Sequence, residues 1–198
     1  MSIHGSQTAR WLKRSLLLAA VALAVSACGT KRDNPEGLDP NFLSAVADAQ
    51  EAGLTVYWVG EQFEVEGLTF RATGGRFEER EEGSSVEVYY GADSEGGGGV
   101  AFTPITYGPR AWESARNRVI PNTEGVIRQA VVVRGWPAEL FSIPVGQWTN
   151  RLVIVEAPDA VIVARANTTI ARIRRQVNPL VDPDQLLAVL ENLRPYPE

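Results

Sequence analysis

Eight short runs rich in β-branched and aromatic residues, closed off by glycine and proline, constrain this 198-residue chain most. They are LTVYWVG (54–60), LTFRA (68–72), SVEVYYG (85–91), VAFTPITYG (100–108), VIRQAVVVRG (126–135), PAELFSI (137–143), RLVIVEA (151–157) and AVIVARA (160–166). Runs of this length and composition, bounded by turn residues, read as β-strands. Gly135-Trp136-Pro137 and Pro158-Asp159 are turn-sized connections, so the last four runs read as an antiparallel meander. Several runs are apolar on both faces, which predicts central strands with something packed over each side.

Helices supply that cover. The first opens at Asp39-Pro40, an N-cap aspartate followed by proline at N1. It turns Phe42, Leu43, Val46 and Ala49 inward and stops at Gly53. PRAWESARN (109–117) reads as a short helix between the two strand groups. TTIARIRRQV (168–177) sets Ile170, Ile173 and Val177 on one helical face before Asn178-Pro179. The last helix has Asp182 as N-cap, Pro183 at N1 and Gln185 as capping-box partner, followed by a stripe of Leu186, Val189, Leu190 and Leu193. No repeat of propeller or solenoid length is present. The expected fold is a single α+β domain over 39–198, a mainly antiparallel sheet of about seven to eight strands with three to four helices.

The residues before that domain read as a leader. Arg10, Lys13 and Arg14 precede an apolar run from Leu16 to Val25, then small Ser26 and Ala27. A basic stretch, a short apolar stretch and a small-residue cleavage site make a secretory signal over 1–27. The run is shorter than the roughly 20 apolar residues a membrane-spanning helix needs. Val25-Ser26-Ala27-Cys28 resembles the lipobox of bacterial lipoproteins. That resemblance implies cleavage before Cys28, a thioether-linked diacylglycerol on its sulfur and further acylation, palmitate included, on its amine. One chain binds a membrane marginally and two or more hold it, at ~0.8 kcal/mol per buried CH₂. Cys28 thus reads as a tether, followed by a polar spacer, GTKRDNPEGL, to residue 38. The expected location is the extracytoplasmic face of a cell membrane.

Composition then closes off several chemistries. Removing Arg10, Lys13 and Arg14 with the leader leaves 16 basic against 24 acidic residues, a net charge of −8. Such a domain lacks the basic stripe that displaces counterions from nucleic acid, and its surface does not favour anionic lipid. His4 is the one histidine and Cys28 the one cysteine. Beyond the leader there is no Ser–His–Asp or Cys–His constellation, no His- or Cys-ligated metal site and no internal disulfide. No cofactor is expected. Packing must hold the fold, and a domain of this length buries roughly two-thirds of its unfolded surface.

Three stretches bear on function. RFEEREEGSSVE (76–87) gathers Glu78, Glu79, Glu81, Glu82 and Glu87, residue types suited to Ca²⁺ or to an acid/base pair. It lacks the alternating aspartates of a calcium loop, and charge runs are ordinarily solvated faces. GADSEGGGG (91–99) joins two strands through Asp93, Ser94 and Glu95; it leads into a strand and no lysine follows, so it is not a phosphate loop. As a hairpin tip it is nevertheless the candidate binding loop. Tyr57, Trp58, Tyr89, Tyr90, Tyr107, Trp112, Trp136 and Trp148 are residue types of a stacking platform, though at strand positions such rings are usually core. Arg172, Arg174 and Arg175 read as an exposed basic helix face.

VYWVGEQF, VEVYYG, RGWPAELF and LLAVLENLRP together resemble exported lipoprotein domains of GC-rich bacteria, over most of residues 54–195. That family carries no assigned activity, so no functional residue transfers. Its pattern implies cysteines in the loop after the tyrosine-glycine strand, where this chain has Asp93 to Gly99. The expectation is a non-enzymatic envelope lipoprotein that binds a protein, glycan or lipid partner. The alternative is a small hydrolase or transferase working through carboxylates.

Overall fold

The computed structural model describes residues 37–92, 99–167 and 177–197. All eight expected runs are strands, and two further strands join them. In chain order the elements begin with α1 (Pro40–Glu51), β1 (Val56–Trp58), β2 (Gln62–Val65) and β3 (Leu68–Arg80). β4 (Gly83–Ala92), β5 (Val100–Tyr107), α2 (Pro109–Val119) and β6 (Ile127–Val133) follow. The chain closes with β7 (Trp136–Val145), β8 (Trp148–Glu156), β9 (Val161–Ala166), a 3₁₀ turn (Pro179–Val181), α3 (Pro183–Leu190) and β10 (Arg194–Tyr196). The expected helix at 168–177 lies outside the described residues except for Val177.

Eight strands form one antiparallel sheet in the order β2-β3-β4-β5-β9-β8-β7-β6, and β1 pairs with β10 in a separate ribbon. Two four-strand meanders therefore meet edge to edge, with β5 against β9. The fold is a single α+β domain. Alternation along β8 shows how one strand serves two cores: Val153 and Val155 enter one cluster, Leu152 and Ile154 the other. Successive side chains point to opposite faces, so an all-apolar run is legible as a doubly covered strand.

α1, α3 and the β1–β10 ribbon cover the first face. Phe42, Val46, Trp58, Leu186 and Leu190 pack there on Val86, Val88, Tyr90 and Ile162. Gly75 permits α1 to cross close by, since a Cβ there would sit 3.2 Å from Phe42 Cα. The second face carries a smaller cluster, Ile105, Phe141, Leu152, Ile154 and Val163, under Trp112 and Val119 of α2. Both expected aspartate caps form: Asp39 accepts from Asn41 N–H at 2.8 Å, and Asp182 from Asp184 and Gln185 N–H. Among the described residues no helix is long and apolar enough to cross a membrane.

β3 runs on to Arg80, well past the expected 68–72, because the acid-rich stretch after Gly75 pairs residue by residue with β4 from Glu87 to Gly83. Cross-strand partners give charged residues a half-buried strand position that composition alone does not announce. β2 and β10 are short and polar, and only their ladders with β3 and β1 reveal them.

Candidate functional site

The charge run of 76–87 becomes one wall of a cleft. On one face of β3, Arg76, Glu78 and Arg80 stand opposite Glu87, Ser85 and Gly83 of β4. Tyr107 of β5 lies opposite Ser85 on the same face. α2 forms the other wall with Ala111, Ser114, Ala115, Arg118 and Val119, spaced to share one helical face. The cavity between them measures about 310 Å³ and is also lined by Glu82. Gly83 allows this approach: its φ is +119°, and a Cβ there would lie 2.9 Å from Ala111 N.

Two of the cleft's carboxylates, Glu78 and Glu87, are occupied. Glu78 receives Arg76 on one oxygen and Arg80, at 2.8 Å, on the other. Glu87 accepts a 2.6 Å hydrogen bond from the Tyr89 hydroxyl. Burial first, then that bond and the Glu87 charge, push the Tyr89 phenol up to about 12. Tyr107 is also raised by burial, against the pull of Arg165, and its ring leans on Trp112 with centroids 5.7 Å apart. Arg118, from the last turn of α2, opens onto the cleft and forms no ion pair among the described residues.

A general acid or base must exchange a proton with its substrate, which two guanidinium partners on Glu78 and a phenol on Glu87 oppose. Hydroxyls of Ser85 and Ser114, with Arg118 and the Tyr107 ring, instead present donors and a flat surface to a polar ligand. Glu79 and Glu81 are exposed, and Glu79 pairs with Ser84, off the row that carries Glu78. Among the described residues no group of three or more His, Cys, Asp or Glu is placed to hold a metal ion.

A second constellation escaped the sequence. Asp159, in the β8–β9 turn, accepts from Thr55 Oγ1 at 2.5 Å and from the Tyr57 hydroxyl at 2.6 Å. Burial acts to raise this carboxyl, but the two hydroxyls and its own N–H outweigh it and hold it below its ordinary value. Burial and the Asp159 carboxylate raise Tyr57 in turn. A shallower hollow of about 410 Å³ beside Asp159 is lined by Leu54, Thr55 and the start of α2. More than a hundred residues separate these partners, and a turn aspartate carries no mark of a distant tyrosine.

The aromatic residues divide by burial. Tyr57, Trp58 and Tyr90 are core, while Tyr89, Tyr107, Trp112 and Trp136 are half-buried and Trp148 is exposed. Cys28, the loop residues Asp93, Ser94 and Glu95, and Arg172, Arg174 and Arg175 lie outside the described residues. No family model, curated protein or solved structure matches this chain.

Proposed function

We propose that this chain is a lipid-anchored extracytoplasmic lipoprotein whose α+β domain is a non-catalytic binding module, with the cleft between α2 and β3–β5 as its recognition site. The observation that carries the reading is the engagement of Glu78 and Glu87 in the cleft: both oxygens of Glu78 are held by arginines and Glu87 by a phenol. Groups held in this way keep a fixed charge pattern, which suits recognition better than proton transfer. The partner is an envelope protein, glycan or lipid. The lipobox-like Val25-Ser26-Ala27-Cys28 supports the anchor, and the net charge of −8 beyond the leader weighs against nucleic acid.

The carboxylate-dependent hydrolase or transferase is the second reading, favoured by the presence of Glu78, Glu82 and Glu87 in one cavity. Assays of the purified protein on esterase, phosphatase and glycosidase substrates from acidic to neutral pH separate the two. The expected result is no turnover. A bell-shaped pH profile that disappears in Glu78→Gln or Glu87→Gln would replace the binding module with the enzyme.

A further inference from the structure

β7 and β8 meet at a hairpin tip with an unusual surface. Val145 pairs with Trp148 across Gly146 and Gln147, and residues 144–148 are all exposed. Trp148 is 38% exposed and Val145 48%. No charged residue occurs between Glu139 and Arg151, in a chain that is 22% charged. On the other face of the same corner, Ile127 at the start of β6 lies opposite Ser142 of β7 and is 67% exposed, the highest value among the exposed large hydrophobic residues. Val177 is exposed as well, by 45%. Its neighbour Asn178 donates to Ala101 O and Asn167 O, which sets it beside the start of β5 and the end of β9.

We infer that this corner, the β7–β8 tip with the start of β6, rests in the lipid interface of the membrane to which the chain is anchored. Tryptophan with aliphatic neighbours, on a tip that itself carries no charge, is the composition that settles at the boundary of headgroups and acyl chains. Large exposed apolar groups on both faces of one sheet corner mark an interaction surface. The inference rests on the anchor reading, because so few apolar residues hold a free domain weakly and need a tether to keep them at the surface. Nine residues lie between Cys28 and Leu38, where the compact unit begins, and such a tether reaches at most about 35 Å. The acidic turn between β2 and β3, with exposed Glu64 and Glu66, belongs to the opposite edge strand, so the contact falls on the β6–β8 side. With a domain of net negative charge, insertion is apolar and not electrostatic.

The test uses full-length protein purified from cell membranes and reconstituted into phosphatidylcholine vesicles that contain acyl-brominated phospholipid. Bromine quenching of tryptophan emission should be substantial and should vanish in Trp148→Phe, because Trp58, Trp112 and Trp136 sit in the domain interior or against it and Trp11 is removed with the leader. Val145→Asp should abolish the quenching at unchanged melting temperature. Added phosphatidylglycerol or salt should leave it unchanged. A clickable fatty acid read on the same sample separates the two ideas. Label without quenching overturns the lipid contact and spares the anchor; absence of label and of quenching removes the anchor reading and the contact with it. Quenching that Val145→Asp leaves intact also overturns the contact. So does a Trp148 that is shielded without vesicles in a protein that sizes as a dimer, which assigns the corner to a second copy.

Discussion

Asp159 shows at residue scale how a polar side chain fastens the ribbon to the sheet. Of its two hydroxyl donors, Thr55 immediately precedes β1 and Tyr57 lies within it, while Asp159 itself turns β8 into β9. The acceptor role requires the ionised form, so the folded-state pKa is depressed. A depressed carboxyl adds stability above its unfolded pKa of about 3.9 and loses it as pH falls through the lower folded value. Wild type should therefore exceed Asp159→Asn in melting temperature near neutrality, with the gap closing below about pH 4. A gap that stays constant down to strongly acidic buffer would show that ionisation of Asp159 does not carry the contact. Tyr57 and Pro158-Asp159 were both legible as a strand aromatic and a turn. Their meeting was not, since each satisfies an ordinary local role without the other.

The caps are the elements most fully written in the sequence. Asp39-Pro40 and Asp182-Pro183 each place an acceptor and a residue without N–H at the first turn, and each starts a helix as the local rule requires. α2 is different in kind. Its N-cap is Gly108, with no side-chain hydrogen bond, so its position depends on what it touches. That contact is the β3–β4 hairpin at Gly83, where the backbone of α2 comes closest. Gly83→Ala puts a methyl against Ala111 N at a φ that side chains avoid, and α2 must lift. The expected cost is about 1–3 kcal/mol. Thermal unfolding checks it, at roughly 2–4 °C per kcal/mol for a domain of this size. An unchanged melting temperature would mean that the cleft wall already yields. The same contact explains why the glutamate run was legible as charge and not as a site. Glu78 and Glu87 share a cleft only because β3 pairs with β4 in this register and a helix from later in the chain covers them.

On the scale of the whole molecule, the domain is held without histidine or cysteine staples. His4 and Cys28 both precede Leu38, so neither metal ligation by histidine or cysteine nor a disulfide contributes to it. Two cores, one on each face of an eight-stranded sheet, replace such staples. The anchor is the remaining question at this scale, and metabolic labelling with a clickable fatty acid answers it. Wild type should carry label and Cys28→Ala should carry none, with its leader uncut. Label that persists on Cys28→Ala, or is missing from wild type, removes the lipoprotein assignment.

What the sequence determined by itself was the class of fold and the extent of most elements. Strand and helix periodicity, caps and turn residues act over a few neighbours, and those interactions are complete within a short window. Apolar runs on both faces even indicated that the sheet is covered twice. Only the tertiary structure decided the edge-to-edge joining of two meanders at β5 and β9, the short strands β2 and β10, and the length of β3. It alone gathered Glu78, Glu87, Tyr107 and Arg118 into one cleft and Asp159 onto Tyr57. These depend on hydrogen-bond ladders and contacts between residues far apart in the chain, whose energies no local window contains.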